Sequence, residues 1–165
     1  MNINEMGAPS WKSVMVTRHL PEKLSGLETL CKNLWWCWND NAKALFKSVD
    51  YDLWHKSGHN PMEILDKVSL KRYMELAQDD VFIARLGEVM AEFNAYMAKK
   101  SERKEPSIGY FCMEYGLDTS LKIYSGGLGI LAGDYLKETS DMNVNLVAVG
   151  LLYRYGYFTQ RLTPQ

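Results

Sequence analysis

The sequence predicts an α/β fold in which a helical region precedes the start of a Rossmann-like parallel sheet. Two apolar runs, Ile108–Glu114 and Val144–Tyr153, have the length and residue types of buried strands. Between them, Tyr124–Asp134 changes from a glycine pair to a helical pattern. Strand, glycine turn, helix and strand form a βαβ unit, whose strands we expect to be parallel and joined by a right-handed crossover.

The helix after the glycine pair is predicted from its period. Residues that recur at helical spacing are Leu128, Leu131, Ala132, Tyr135, Leu136 and Thr139. Gly129 and Gly133 are four residues apart, so they form a line along which another backbone can approach the helix closely.

The glycine pair itself, Gly126 and Gly127, is typical of a helix start that binds an anion. No side chain covers its N–H groups, and a helix start directs unpaired N–H groups and the positive end of the helix dipole outward. Ligands of open α/β sheets bind at the carboxyl ends of the strands, where Glu114 and this turn are both expected. The sequence therefore predicts a phosphate or other anion site at this edge.

Composition divides the chain into four segments. Residues 1–25 lack a sustained period and are predicted to form an N-terminal arm, with Val14–Val16 as a candidate edge strand. Residues 26–100 form a helical leader region, and the polar residues 101–107 form a junction. Residues 108–165 are the start of an α/β domain, which we expect to be incomplete because only two or three strands are predicted in it.

One broad apolar stripe marks the first part of the helical leader. Its members are Leu27, Leu30, Cys31, Leu34, Trp35, Trp38, Ala42, Leu45 and Phe46. Trp36 falls outside the stripe and is expected to contact a second surface, such as another helix. Tryptophan faces also suit sugar rings, but the helical spacing favours packing in the core.

Capping residues predict three further helix starts. Asn60–Glu63 supplies an N-cap, a proline at the first helical position and an acid at the third. Ser69 is predicted to cap the next helix, and Asp79 or Asp80 a long helix that ends at Lys100.

Charge and hydropathy exclude several classes of partner. The 165 residues have a formal net charge of −1 and no basic cluster, so neither a nucleic acid nor an anionic membrane is expected as a partner. No apolar run approaches the length of a membrane span, and residues 1–10 lack the features of a signal peptide. We therefore expect a cytoplasmic protein.

The cysteines and histidines give little indication of chemistry. Cys31, Cys37 and Cys112 form no metal-binding pair or even disulfide set, and their apolar neighbours predict inert buried thiols. His55 and His59 are four residues apart, but a glycine and an Asn-Pro pair place the second in a loop. We therefore expect the two rings not to be presented together, and no metal site.

Three motifs, in order, resemble the N-terminal portion of α-glucan (glycogen, starch or maltodextrin) phosphorylases. They are Tyr110–Gly116, Tyr124–Asp134 and Val149–Gln160. Leu34–Trp38 and His59–Pro61 look like the helical leader of the bacterial and archaeal branch of that family.

The resemblance implies a retaining glycosyltransferase with two Rossmann domains, the GT-B fold. Such an enzyme transfers the terminal glucose of an α-1,4-glucan to inorganic phosphate and releases α-glucose 1-phosphate. The family holds pyridoxal 5'-phosphate on a lysine of its C-terminal domain, so no cofactor-binding residue is expected in this chain, which should be inactive alone. A homo-oligomer of the full-length protein is left open.

The resemblance also implies roles for individual residues. The backbone N–H of Gly127 would hold the phosphate, Gly126 would supply the turn, and Leu128 would lie against the sugar. Glu114 matches the glutamate after the first strand, near the catalytic cavity, and is the candidate catalytic residue.

Two positions depart from the pattern of many phosphorylases, so the contacts that those side chains make in the family are not carried over to this chain. Ser125 and Ile130 stand where many members have Asn and Arg.

A glycogen or starch synthase also has Gly-Gly-Leu at a helix start, but with a lysine at the position of Tyr124. A non-catalytic glucan-binding module would use tryptophans and exposed aromatics such as Tyr155 and Tyr157. A dinucleotide-binding oxidoreductase is disfavoured because the GxGxxG spacing is missing.

Overall fold

A computed structural model describes residues 20–101, 108–155, 157–158 and 162–163. Most of the predicted arm, including Val14–Val16, lies outside the described residues, as do residues 102–107 of the predicted junction.

Helices account for most of residues 22–101. Two short 3-10 helices cover Glu22–Leu24 and Leu34–Cys37. The α-helices are α1 (Ser25–Cys31), α2 (Asp40–Val49), α3 (Tyr51–Lys56), α4 (Pro61–Lys67), α5 (Leu70–Leu76) and α6 (Asp80–Ser101).

The three predicted helix starts are confirmed by their caps. The Asn60 side chain accepts hydrogen bonds from two N–H groups of α4, at 3.1 and 3.3 Å. Ser69 caps α5 through the N–H of Arg72. Asp79 accepts from two N–H groups at the start of α6, which runs one residue past the predicted end at Lys100. Local capping chemistry thus determines where these helices begin.

The broad apolar stripe is not one continuous helix. Asn33 and Asn39 each accept a hydrogen bond from a backbone N–H two or three residues later, at 3.0 and 2.8 Å, so a new helix begins after each. The chain therefore turns twice between α1 and α2, and the stripe is divided among three short helices. Most of its members are nevertheless buried in one core together with Ile64, Leu76 and Phe82.

The tryptophan cluster belongs mainly to this core, as the helical spacing indicated. Trp35 and Trp36 are buried, and Trp36 contacts the rings of Phe46 on α2 and Trp54 on α3 edge to face. Trp36 therefore meets a second helix, as predicted. With 3% of its surface exposed, it has no free face for a sugar.

The α/β unit consists of β1 (Ile108–Phe111), α7 (Gly127–Asp141) and β2 (Leu146–Val149). The strands are parallel, in a register that pairs Ile108 with Leu146 and Phe111 with Val149. The predicted parallel pairing is thus confirmed. Both strands are shorter than the apolar runs that predicted them.

The prediction that these strands are buried is wrong for this chain. Phe111 is 75% exposed, and Val147 and Val149 are exposed as well. On α7, the buried line is Gly129, Ala132, Gly133 and Thr139, whereas Leu128, Leu131 and Tyr135 are exposed. The reason is geometric: a pair of strands and one helix cannot cover both faces of a sheet.

The described residues thus form a mixed, mainly helical structure with a small two-stranded parallel sheet, consistent with an α/β fold. Among them, no helix combines the length and the apolar character required to cross a membrane.

Candidate functional site

The glycine turn opens α7, as the sequence predicted. Gly126 is the N-cap in an extended conformation, and its carbonyl accepts the first helical hydrogen bond, from the Ile130 N–H at 3.2 Å. The N–H groups of residues 127–129 precede that bond, so they are the unpaired donors of a helix start. A side-chain carbon placed on Gly126 or Gly127 would meet no atom within 4 Å. The turn is therefore open to a ligand.

Two glycines of α7 let the segment after β1 lie directly on the helix backbone. The Gly116 N–H donates to the Gly129 carbonyl at 2.7 Å. A side-chain carbon on Gly133 would lie only 2.2 Å from the Gly116 carbonyl oxygen. The close approach predicted along Gly129 and Gly133 is thus confirmed, and its partner is Gly116.

Glu114 is fixed beside the turn by a backbone hydrogen bond. Its Oε2 accepts from the Ser125 N–H at 2.7 Å. Its side chain also lies against Gly129, where an added carbon would come within 3.3 Å of Glu114 Cγ and Cδ. A carboxylate in this position is favoured by the positive end of the α7 dipole. The structure thus brings Glu114 and the glycine turn together.

A cleft of about 240 Å³ lies at this edge of the sheet. It is lined by Met113, Glu114, Lys122, Ile123, Tyr124, Ser125, Tyr153 and Tyr157. Gly126, Gly127 and Leu128 follow Ser125 directly and are exposed at its border rather than in its lining. Lys122 and Glu114, two residues of opposite charge, both line this cleft.

Sequence reasoning missed several residues of this region. Lys122 stands in a segment with no period or motif to single it out. Tyr115 is buried, and its hydroxyl donates to the Tyr110 carbonyl at 2.8 Å, which braces the end of β1. Burial raises the pKa of the Tyr115 phenol. Gly116 is the last residue of the motif Tyr110–Gly116, but only the structure shows that its backbone packs against α7.

The three cysteines are free. Cys31 and Cys37 are buried, and burial raises the pKa of Cys31 and raises that of Cys37 to about 11. Such thiols remain protonated at neutral pH, which agrees with inert core residues. Cys112 is only partly buried, so the prediction of a buried thiol is wrong there: it directly follows the exposed end of β1.

The expectation that the two histidine rings would not be presented together is wrong. His59 has a left-handed backbone with φ of 68°, so the loop returns toward α3. Its Nε2 lies 3.5 Å from Nδ1 of His55, and its ring stacks on Trp54. Among the described residues, no group of three or more His, Cys, Asp or Glu side chains is arranged to hold a metal ion.

Fold and site together define an α/β protein with a glycine-turn helix start and a fixed carboxylate at one edge of a parallel strand pair. The chain belongs to the family described as "Protein of unknown function (DUF3417)", which matches residues 20–121. That family is the N-terminal region of glycogen and maltodextrin phosphorylases, as the sequence motifs indicated.

Named relatives agree with this assignment. The chain is 43% identical over 160 residues to a glycogen phosphorylase of Mycobacterium tuberculosis, covering 90% of this chain and 18% of the relative. It is 44% identical over 151 residues to a maltodextrin phosphorylase of Thermococcus litoralis (87% and 18%). It is 42% identical over 140 residues to a glycogen phosphorylase of Aquifex aeolicus (83% and 20%).

The chain thus spans about a fifth of the length of these relatives and matches their N-terminal part. No solved structure matches it significantly.

Proposed function

We propose that this chain is the N-terminal part of an α-1,4-glucan phosphorylase. The full-length protein transfers the terminal glucose of a glycogen or maltodextrin chain to inorganic phosphate, with retention, and releases α-glucose 1-phosphate. The observation that carries the proposal is the 42–44% identity to named phosphorylases over most of this chain. The hypothesis of a glycogen or starch synthase is disfavoured because the same relatives are named phosphorylases, and because Tyr124 stands where a synthase has its lysine.

The glycine turn is the proposed phosphate site. The N–H of Gly127 holds the substrate phosphate, Gly126 supplies the turn and Leu128 contacts the sugar. Phosphorolysis develops positive charge on the sugar beside an anion, which calls for fixed N–H dipoles in a site that excludes water. Backbone donors at the start of α7 meet this need because they are fixed before the ligand arrives.

Glu114 is proposed to contribute by positioning the turn. Its carboxylate accepts from Ser125, the residue immediately before the glycine pair, at 2.7 Å. This bond fixes the backbone whose next N–H groups receive the phosphate. The negative charge of Glu114 opposes a second anion nearby, and the Lys122 ammonium in the same cleft offsets part of that repulsion.

The proposed full-length enzyme has the GT-B fold and uses pyridoxal 5'-phosphate, which supplies a phosphate group for proton transfer when bound. The described residues do not fit as its anchor. The lysine that lines the cleft, Lys122, is exposed, whereas a Schiff-base lysine needs a desolvated site. We therefore assign no cofactor-binding residue in this chain and derive no step through the cofactor. The proposed partners are the glucan and phosphate, and a cytoplasmic location stays a prediction.

The decisive substitution for the phosphate site is Gly127→Val in the full-length protein. A side-chain carbon at Gly127 meets no protein atom within 4 Å, so the fold should tolerate it while the branched side chain covers the N–H. Loss of one charge-assisted hydrogen bond costs about 2 kcal/mol, so the KM for phosphate should rise roughly 30-fold.

The matched control is Gly87→Val, at an exposed glycine of α6 that is also open to solvent. It should leave the phosphate KM unchanged. An unchanged phosphate KM in Gly127→Val would refute the proposed role of the turn.

A further inference from the structure

The helical region and the α/β unit share no apolar core in the part of the chain that the structure describes. Every buried member of the main core cluster lies between Leu24 and Phe93, within the helical region. The buried apolar residues of the α/β unit, Tyr115 and Ala132, lie outside that cluster. The relative placement of the two parts therefore depends on the polar contacts between them.

Two of these polar contacts reach the C-terminal end of α7. The Trp38 indole N–H donates to Asp141 Oδ1 at 3.0 Å. The hydroxyl groups of Tyr96, on α6, and Ser140 are hydrogen-bonded at 2.7 Å. A carboxylate in the last turn is disfavoured by the negative end of the helix dipole, so the charge-assisted bond from Trp38 is the interaction that stabilises Asp141 at this position.

A third contact joins the ends of α6 and α7. Asn143 follows α7 with a left-handed backbone, at φ of 56°, a conformation common just after a helix. Its side-chain amide donates to the Lys99 carbonyl at 3.1 Å. That carbonyl belongs to the last turn of α6, where carbonyl groups have no partner within the helix. We call the bonds of Trp38, Tyr96 and Lys99 to the end of α7 the α7 clamp.

The α/β unit holds α7 near its middle, so the two ends of the helix are coupled. The close approach of Gly116 lies at Gly133. Gly127 precedes Gly133 by six residues and Asp141 follows it by eight, which correspond to about 9 and 12 Å along the helix. A rigid helix that pivots at Gly133 would therefore move its start by roughly 0.75 Å for each 1 Å that its end moves.

We propose that the α7 clamp positions the glycine turn, so that the helical region sets the affinity of that turn for phosphate. Trp38, Tyr96 and Asp141 are positioning residues, because they act at the far end of α7 from the turn. The choice of phosphate rests on the proposed function, whereas the coupling rests on the three hydrogen bonds and on the pivot at Gly133. A site needs its donors held within about 0.5 Å, which is less than the movement that a released clamp allows.

The test measures kcat and the phosphate KM of the full-length protein at saturating maltodextrin. Asp141→Ala removes an acceptor of the clamp, and we expect the phosphate KM to rise about three- to tenfold. Asp141→Asn keeps a side-chain oxygen for the Trp38 indole, so its KM should stay within about twofold of the wild-type value. Glu138→Ala is the matched control: Glu138 is an exposed carboxylate of the same helix outside the clamp, and its removal should leave the KM unchanged.

A second variant keeps the test valid if Asp141→Ala disturbs folding. Tyr96→Phe removes only the hydroxyl that bonds Ser140, and it should raise the phosphate KM in the same direction. A merely structural role predicts a different result, because partial unfolding lowers kcat per mole of total protein and leaves the KM unchanged. A phosphate KM that stays at the wild-type value in both variants, checked for folding by circular dichroism, would overturn the proposal.

Hydrogen exchange separates a failure of the clamp from a failure of the proposed function. Peptides that cover residues 126–134 should exchange faster in Asp141→Ala than in the wild type and Glu138→Ala. This result in a protein that forms no glucose 1-phosphate would contradict the proposed function alone. Phosphorolysis by the wild type, with the phosphate KM and the exchange unchanged in Asp141→Ala and Tyr96→Phe, would contradict the clamp alone.

Discussion

Gly133→Ala tests the close packing that places Glu114 and the glycine turn at one edge. The added methyl carbon would lie 2.2 Å from the Gly116 carbonyl oxygen and 2.5 Å from its carbon. Non-bonded heavy atoms need about 3.5 Å, so α7 and the Gly116 segment must separate by roughly 1 Å. A shift of that size also disrupts the 2.7 Å hydrogen bond from the Gly116 N–H to the Gly129 carbonyl.

The expected cost follows from three contributions. Overpacking costs about 1–3 kcal/mol, loss of the hydrogen bond adds about 1 kcal/mol, and the better helix propensity of alanine returns about 1 kcal/mol. The free energy of unfolding should therefore fall by about 1–3 kcal/mol. Urea denaturation followed by circular dichroism measures it.

Gly87→Ala provides the matched control, because Gly87 is an exposed glycine within α6 with no atom within 4 Å of an added carbon. At Gly87 only the better helix propensity of alanine contributes, so the free energy of unfolding should rise by up to about 1 kcal/mol. If Gly133→Ala stabilised the protein as much as Gly87→Ala does, the close approach of Gly116 to α7 would be refuted.

Three further substitutions test other parts of the account. Asn60→Ala removes the cap of α4 and should lower the free energy of unfolding by about 1 kcal/mol, with Asn60→Asp as the control that keeps the acceptor; equal stability of all three proteins would contradict the capping role. Glu114→Ala should raise the phosphate KM of the full-length protein. Glu114→Gln should keep this KM within about tenfold of the wild-type value, because its amide oxygen can still accept from the Ser125 N–H. An equal rise of the phosphate KM in both variants would indicate that the charge itself is required. Burial raises the pKa of Cys37 to about 11, from 9.0 for an exposed thiol, so the unfolded chain loses the thiol proton at a lower pH than the folded chain. The contribution of the buried neutral thiol to the free energy of unfolding is therefore complete below pH 9 and is lost between about pH 9 and 11. Urea denaturation at pH 8 and 10.5 should show a steeper loss of stability in the wild type than in Cys37→Ala, and identical pH dependence would contradict this.

Local signals made much of the fold predictable. Asn60, Ser69 and Asp79 each have a side-chain acceptor placed to bond backbone N–H groups two or three residues later, so the sequence alone locates these helix starts. The glycine pair before α7 was equally informative. Asn33 and Asn39 carry the same capping signal, but the continuous apolar period around them concealed the two breaks.

Non-local features could not be predicted. The hydrogen bond from Ser125 to Glu114 and the contact of Gly116 with α7 depend on how separate segments meet, which no period records. The pairing of His55 with His59 depends on a left-handed backbone that sequence spacing does not reveal. The prediction of buried strands was wrong for a different reason. An apolar run indicates that a strand is suited to burial, but it does not indicate whether the described residues pack over that strand.

The most direct test of the central claim is phosphorolysis by the full-length gene product. The protein is incubated with maltodextrin and inorganic phosphate, and glucose 1-phosphate is assayed alongside the absorbance of bound pyridoxal. We expect glucose 1-phosphate to form and the cofactor to be bound. A protein that binds glucan but forms no product and carries no cofactor would contradict it and favour a glucan-binding module.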